Sequence, residues 1–221
     1  MRAAMLFAAL ICSASPVLAQ SHDHGKLPEV TGGGKFPAGW QARRDKMAAG
    51  VELDNVKLVQ MGSGLHVTMG HTNAILWNPE NDAKGEFELT ATFSQSKANP
   101  MHAEGYGLVF NGANLDGDTQ SYVYFLVREG QYLINHRAGN DVHKIVPWTD
   151  HGAINTSDAA GKVGNALTVQ VKGNDVNYIV NGQIVHQQKR DYMKPDGIVG
   201  LRVNMFQDMH VASFGLKPLA K

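Results

Sequence analysis

Residues 104–137, EGYGLVFNGANLDGDTQSYVYFLVREGQYLINHR, decide the fold. They read as three successive strands, separated by the polar loop NLDGDTQ and by a hairpin turn at Glu129-Gly130. Side chains alternate with period two along a strand, so Tyr122, Tyr124, Leu126 and Arg128 share one face while Val123, Phe125 and Val127 share the other. The second face is expected to be dry core. The first, aromatic and ending in a charge, is expected either to meet other long side chains or to line a groove that holds something polar.

The same period extends outward in both directions. Val56–Met61 and Leu65–Met69 flank Gly62-Ser63-Gly64 as a hairpin, Ala74–Trp77 predicts a short strand stopped by Asn78-Pro79, and Glu86–Ser94 places Phe87, Leu89, Ala91 and Phe93 on one face. Lys144–Trp148 predicts a further short strand, followed by a long polar connection over 149–165. Ala166–Val171, Val176–Val180 and Gln183–His186 form a meander joined by Gly173-Asn174 and Asn181-Gly182, dipeptides suited to tight hairpins. Ile198–Asn204 and Met209–Leu216 close the chain. No helical stretch between the strands is long enough to cross over a parallel sheet, so the strands must pair antiparallel. The fold class is therefore all-β, a two-sheet antiparallel sandwich of jelly-roll type.

Residues 1–19 combine Arg2, an apolar run around Leu6–Ile11 and the closing Val17-Leu18-Ala19, the pattern of a secretory signal peptide. Ser13, Ser15 and Pro16 interrupt the run short of the roughly 20 apolar residues a bilayer span requires, so no membrane insertion is expected. The expected mature chain starts at Gln20 and is secreted or periplasmic. Cys12 is the only cysteine and lies in the segment to be removed, leaving no disulfide, thiol nucleophile or thiolate metal site. Residues 20–46 predict a flexible N-terminal segment pinned by Phe36 and Trp40, and helical propensity marks a short piece at 41–49. Residues 47–221 are expected to form one domain. With a formal net charge of +0, the chain offers nucleic acid or an anionic membrane no electrostatic handle.

The order NALTVQVKGNDVNYIVNGQIV, DGIVGLRVN, VASFGLKPL resembles the C-terminal half of concanavalin A-like and laminin-G-like jelly rolls, especially the bacterial secreted 3-keto-disaccharide hydrolase domain. With GYGLVF and YVYFLV included, the resemblance covers about 84–216. It implies the sandwich fold and, for the enzyme branch, glycoside hydrolysis. The enzyme domains usually carry Trp-Asn where this chain has Gly164-Asn165, and a Tyr with Gln and an acid where it has Tyr122–Arg128, so no catalytic residue carries over position by position.

A glycosidase needs two carboxylates facing across a cleft. Glu86, Glu88, Glu104 and Glu129 lie at strand starts, on a solvent face or in a turn and read as solvated charges. Asp116 and Asp118 in the NLDGD loop offer the hard oxygen ligands that calcium takes, although Asp-Gly-Asp is also ordinary turn chemistry. Cleavage before Gln20 would place His22 third in the chain, where amine, amides and imidazole can encircle copper. The candidates for a sugar are Tyr122, Tyr124, Arg128, His136, Trp148, Arg202 and Asn204, a mix of flat rings and planar donors expected to share a concave face. The reading is a carbohydrate-binding module. The alternatives are a hydrolase of the 3-keto-disaccharide type and an adhesive or copper-handling surface protein.

Overall fold

A computed structural model describes residues 30–45, 53–98 and 103–219 of the chain. The expected signal peptide and His22 lie outside these residues. The front sheet runs in the order β1 (Gln41–Arg44), β4 (Ala74–Ala83), β13 (Gly197–Val203), β6 (Tyr106–Ala113), β7 (Ser121–Arg128), β8 (Gln131–Ala138) and β9 (Asp141–Asp150). The back sheet runs β12 (Gln183–Lys189), β11 (Asp175–Val180), β10 (Val163–Lys172), β5 (Phe87–Gln95), β14 (Asp208–Pro218), β3 (Gly64–Met69) and β2 (Val56–Met61). Every pairing is antiparallel, and among the described residues the helical turns are short 3-10 pieces at Leu53–Asn55 and Arg190–Tyr192. No described helix is long and apolar enough to cross a membrane. The architecture is the two-sheet jelly-roll sandwich that the alternation implies.

The core between the sheets takes Val123, Phe125 and Val127 from β7, together with Phe87, Leu89 and Phe93 from β5 and Leu167, Val169 and Val171 from β10. Phe125 packs edge-on to Tyr178 of β11 at 5.2 Å between ring centroids, one of the contacts that join the two sheets. A second buried cluster lies on the far side of the front sheet: Ile75, Trp77, Val109, Leu115, Tyr122, Tyr124, Leu126 and Leu133, with Trp148 and Ile198 packed against it. Burial on both faces accounts for the nearly unbroken apolar runs of β6 and β7, since a strand with two dry faces has no polar side to alternate with. Phe36 and Trp40 pack against the main core, Trp40 meeting Phe214 at 5.5 Å, which anchors the stretch before β1.

Several local expectations are corrected. Gln41–Arg44, read as part of a helical piece, pairs with β4 from Gln41↔Trp77 to Arg44↔Ala74; so short a helix is marginal, and a sheet edge satisfies its backbone instead. The remainder of that piece lies outside the described residues. The strand expected to stop at Asn78-Pro79 continues to Ala83. Its register against β13 breaks between Trp77↔Gly200 and Asp82↔Ile198, so Pro79 sits in an irregular, exposed stretch where its missing N–H costs no ladder bond. The strand placed at Lys144–Trp148 spans Asp141–Asp150, an exposed edge whose weak apolar pattern concealed its length.

Truncating the residue that packs across the sheets tests this architecture. Phe125→Ala is expected to cost about 3–5 kcal/mol, read as a lower urea midpoint with an unchanged m-value.

Candidate functional site

The far face of the front sheet carries the polar groups that could make a site. Its register follows from the tight turn after β7, where Glu129 and Gly130 adopt φ of 25° and 76° and join Arg128 directly to Gln131. Tyr122 then faces Arg137, Tyr124 faces Asn135 and Leu126 faces Leu133. Directly opposed residues share a face, so Asn135 and Arg137 stand beside the two tyrosines. His136 does not. It lies opposite Val123 on the core-side face, where its Nε2 is 2.9 Å from Ser121 Oγ and its ring stacks at 5.8 Å on His143. Burial and the neighbouring His143 hold its pKa below the ordinary value. The shared face expected for His136 is thereby corrected, because a two-residue turn pairs even positions with odd ones.

Two strands away, Arg202 on β13 projects over the same face. Its guanidinium lies 4.5 Å above the Tyr124 ring and donates to Tyr122 Oη at 3.2 Å. Asp45, just beyond β1, takes it in a bidentate grip: Nη1 to Oδ1 at 2.7 Å and Nη2 to Oδ2 at 2.5 Å. Arg137 Nη2 approaches the same Oδ2 at 3.4 Å, and Asn135 Nδ2 donates to Tyr124 Oη at 3.0 Å. Burial pushes the Asp45 carboxyl up, but the hydrogen bonds and charge of Arg202, aided by the charge of Arg137, outweigh it and hold the pKa below the ordinary carboxylate value. For Arg202, burial works against the charge and Asp45 more than restores it, so the pKa rises. Tyr122 is pushed up by its burial despite the cation beside it.

Tyr122, Tyr124 and Arg202 thus occupy one face as expected, but they are 1%, 5% and 4% exposed and form an internal network. Trp148 joins the same side, with Arg128 stacked 4.0 Å over its ring and half-buried. Asn204 follows the end of β13 and reaches Glu104 at 3.4 Å, away from the tyrosines. The open space lies beside Asp45. A cleft of about 640 Å³ is lined by Asp45, Arg137, His71, Asn73, Asn140 and Met205, among others. The β3–β4 connection supplies His71 and Asn73, whose side-chain Oδ1 accepts from Met205 N at 2.9 Å while its carbonyl accepts from Asp45 N at 3.1 Å. The exposed His71 ring stacks on Phe206 at 5.3 Å, only 7° from parallel. Sequence reading missed all of these. Arg137 was recoverable from the register of the Glu129-Gly130 turn, whereas Asp45, His71 and Asn140 reach the cleft through loops that carry no periodic signal.

The acidic residues weighed for catalysis are engaged with backbone and amide donors: Glu129 accepts from Ser157 N, Glu86 from Gly173 N and Glu88 from Gln170 Nε2. In the NLDGD loop, weighed above for calcium, a guanidinium already takes two of the oxygens. Arg43 Nη1 donates to the Asp116 carbonyl at 2.7 Å and Nη2 reaches Asp118 Oδ1 at 3.3 Å, so a cation there would compete with a guanidinium for those two oxygens. No group of three or more metal-ligating side chains occurs among the described residues.

Two outcomes check this geometry. Asp45→Asn leaves Arg202 buried without its counter-charge and is expected to cost about 3–5 kcal/mol in denaturant unfolding. Because the folded Asp45 pKa is lowered, its contribution is complete above the unfolded value of about 3.9 and is lost as pH falls through the folded value. The variant should therefore show a shallower loss of stability on acidification than the natural chain. The melting temperature should also be the same with calcium and with chelator, since Arg43 competes for the Asp116 carbonyl and an Asp118 oxygen.

No protein-family model matches the chain, and no curated protein matches it in sequence. In three dimensions it is similar to the carbohydrate-binding module CBM66 from Bacillus subtilis, with a TM-score of 0.55 and 10% identity over 81% of this chain and 95% of that one. It is also similar to the exoplasmic/lumenal domain of VIP36 bound to Ca2+ and Man3GlcNAc, with a TM-score of 0.56 and 9% identity over 83% and 85% of the two chains. The carbohydrate recognition domain of Emp46p gives a TM-score of 0.52 at 12% identity, covering 82% of this chain and 89% of that domain. At such identities the likeness is one of fold, the two-sheet jelly-roll sandwich.

Proposed function

We propose that this chain is a carbohydrate-binding β-sandwich module whose ligand occupies the cleft beside Asp45. The observation that carries the reading is the composition of that cleft: the amides of Asn73 and Asn140, the charged pair of Asp45 and Arg137, and the stacked His71 ring open onto one space of about 640 Å³. Sugars present flat C–H patches bordered by hydroxyls that both donate and accept, so a ring platform flanked by planar amide, carboxylate and guanidinium groups complements them. The volume falls within the roughly 300–1,000 Å³ of small-ligand sites. A carboxylate held ionised by two guanidiniums keeps lone pairs available for hydroxyl donors.

The fold neighbours CBM66, VIP36 and Emp46p are described as binding or recognising carbohydrate, which supports the same reading by analogy of architecture. Tyr122, Tyr124 and Arg202 act in it as the rigid floor that fixes Asp45, and Arg128 with Trp148 marks a second, half-buried part of the same face. A secreted or periplasmic location belongs to this reading through residues 1–19. Hydrolysis of the 3-keto-disaccharide type draws no support from the acidic residues, whose carboxylates serve backbone and amide donors.

The test is a glycan panel read by calorimetry. A bound oligosaccharide is expected to lose about tenfold in affinity, or about 1.4 kcal/mol, in His71→Ala and again in Asn140→Ala. Both positions are exposed, so stability should stay within about 0.5 kcal/mol of the parent. Binding that ignores both substitutions would move the ligand elsewhere and refute the assignment.

A further inference from the structure

Three guanidiniums are buried on the far face of the front sheet: Arg43, Arg137 and Arg202, at 8%, 6% and 4% exposure. Arg43 serves Asp116 and Asp118, and Arg202 holds Asp45 with both terminal nitrogens. Among the described residues Arg137 has no carboxylate of its own: its one ionic contact is the 3.4 Å approach to an Asp45 oxygen that Arg202 already engages at 2.5 Å, and its Nε, like those of Arg43 and Arg202, has no hydrogen-bond partner. A guanidinium remains protonated, and burying one without matching acceptors is costly. Arg137 and Arg202 therefore share the one carboxylate of Asp45, and Arg137 lines the cleft at that point together with Arg44.

We infer that the cleft takes a carboxylated sugar, a uronic acid residue whose carboxylate pairs with Arg137 beside Asp45. This rests on the carbohydrate reading of the same cleft and narrows its ligand class. A planar carboxylate matches the guanidinium fork in two parallel hydrogen bonds, as the Asp45–Arg202 pair shows a few ångströms away. A ligand carboxylate supplies the paired acceptors that Arg137 lacks while it shares an Asp45 oxygen with Arg202. A dianionic phosphate monoester would be repelled by the Asp45 carboxylate more strongly than a monoanion. The amides of Asn73 and Asn140 and the His71 ring then face the hydroxyls and C–H surface of the same residue.

The experiment titrates the full chain with oligomers of galacturonate, glucuronate and mannuronate, each paired with its methyl ester, and with neutral and sulfated oligosaccharides. Esterification keeps the ring and its stereochemistry while removing the charge. At least one uronate is expected to bind about tenfold or more tightly than its ester, with a preference that shrinks as salt rises. Arg137→Gln should abolish that preference while sparing the weaker binding of the ester. Should the variant fail to fold, the salt dependence and acid–ester ratio of the natural chain decide the matter without it. Equal affinity for acid and ester, or preference for a sulfated oligomer, would overturn the carboxylate assignment. Neutral glycans bound in the cleft with no uronate bound would overturn it too, while leaving the broader carbohydrate reading intact. Absence of binding to any member would overturn both.

Discussion

A guanidinium cannot discard its proton, so Arg202, set almost fully out of water in the middle of a sheet face, must be answered by a carboxylate wherever the chain goes. Asp45 supplies that answer from the end of the edge strand β1, across β4. The pair thereby fixes where the chain leaves the sheet, and with it one wall of the cleft. Tyr122 and Tyr124 complete the enclosure, one by a hydrogen bond and the other by its ring face, and Asn135 holds the second phenol. The far face of the front sheet is thus a second interior with an electrostatic keystone, beside a main core held by apolar contact.

That division explains what the sequence made legible. The strands of the central hairpin, the C-terminal meander and the alternation of β5 were readable because one face of each is apolar and each turn carries its own chemistry. Asn181 and Gly182 both adopt positive φ, as their dipeptide suggests. Burial of Tyr122, Tyr124 and Arg202 was not readable, since an aromatic face ending in arginine looks the same in a wet groove and in a second core. Their cover comes from elsewhere in the chain: Leu115 of the β6–β7 loop and Asp45 after β1. His136 was misplaced by one step of register, although the Glu129-Gly130 turn held the correction. β1 was hidden because four residues carry too little periodicity to outweigh helical propensity.

The same arrangement separates floor from rim in the cleft. Groups that lock the geometry are buried and bonded to one another, while His71 and Asn140 remain in solvent at the surface. A site assembled this way is preorganised, with little side-chain ordering left for the ligand to impose. Arg137 stands between the two classes, buried like the floor yet lining the open cleft like the rim.

The strand order also dictates when this protein can fold. β13 lies between β4 and β6 in one sheet, and β14 between β5 and β3 in the other. Neither sheet can close until the chain from Gly197 onward has been made, because the last two strands are inserted into the interiors of both. Arg202 rides on the first of them, so Asp45 meets its partner only after 157 further residues have been made. Such a topology, dominated by pairings distant along the chain, belongs to the slow-folding class. A chain that stops short of Gly197 therefore holds local hairpins but no closed sandwich.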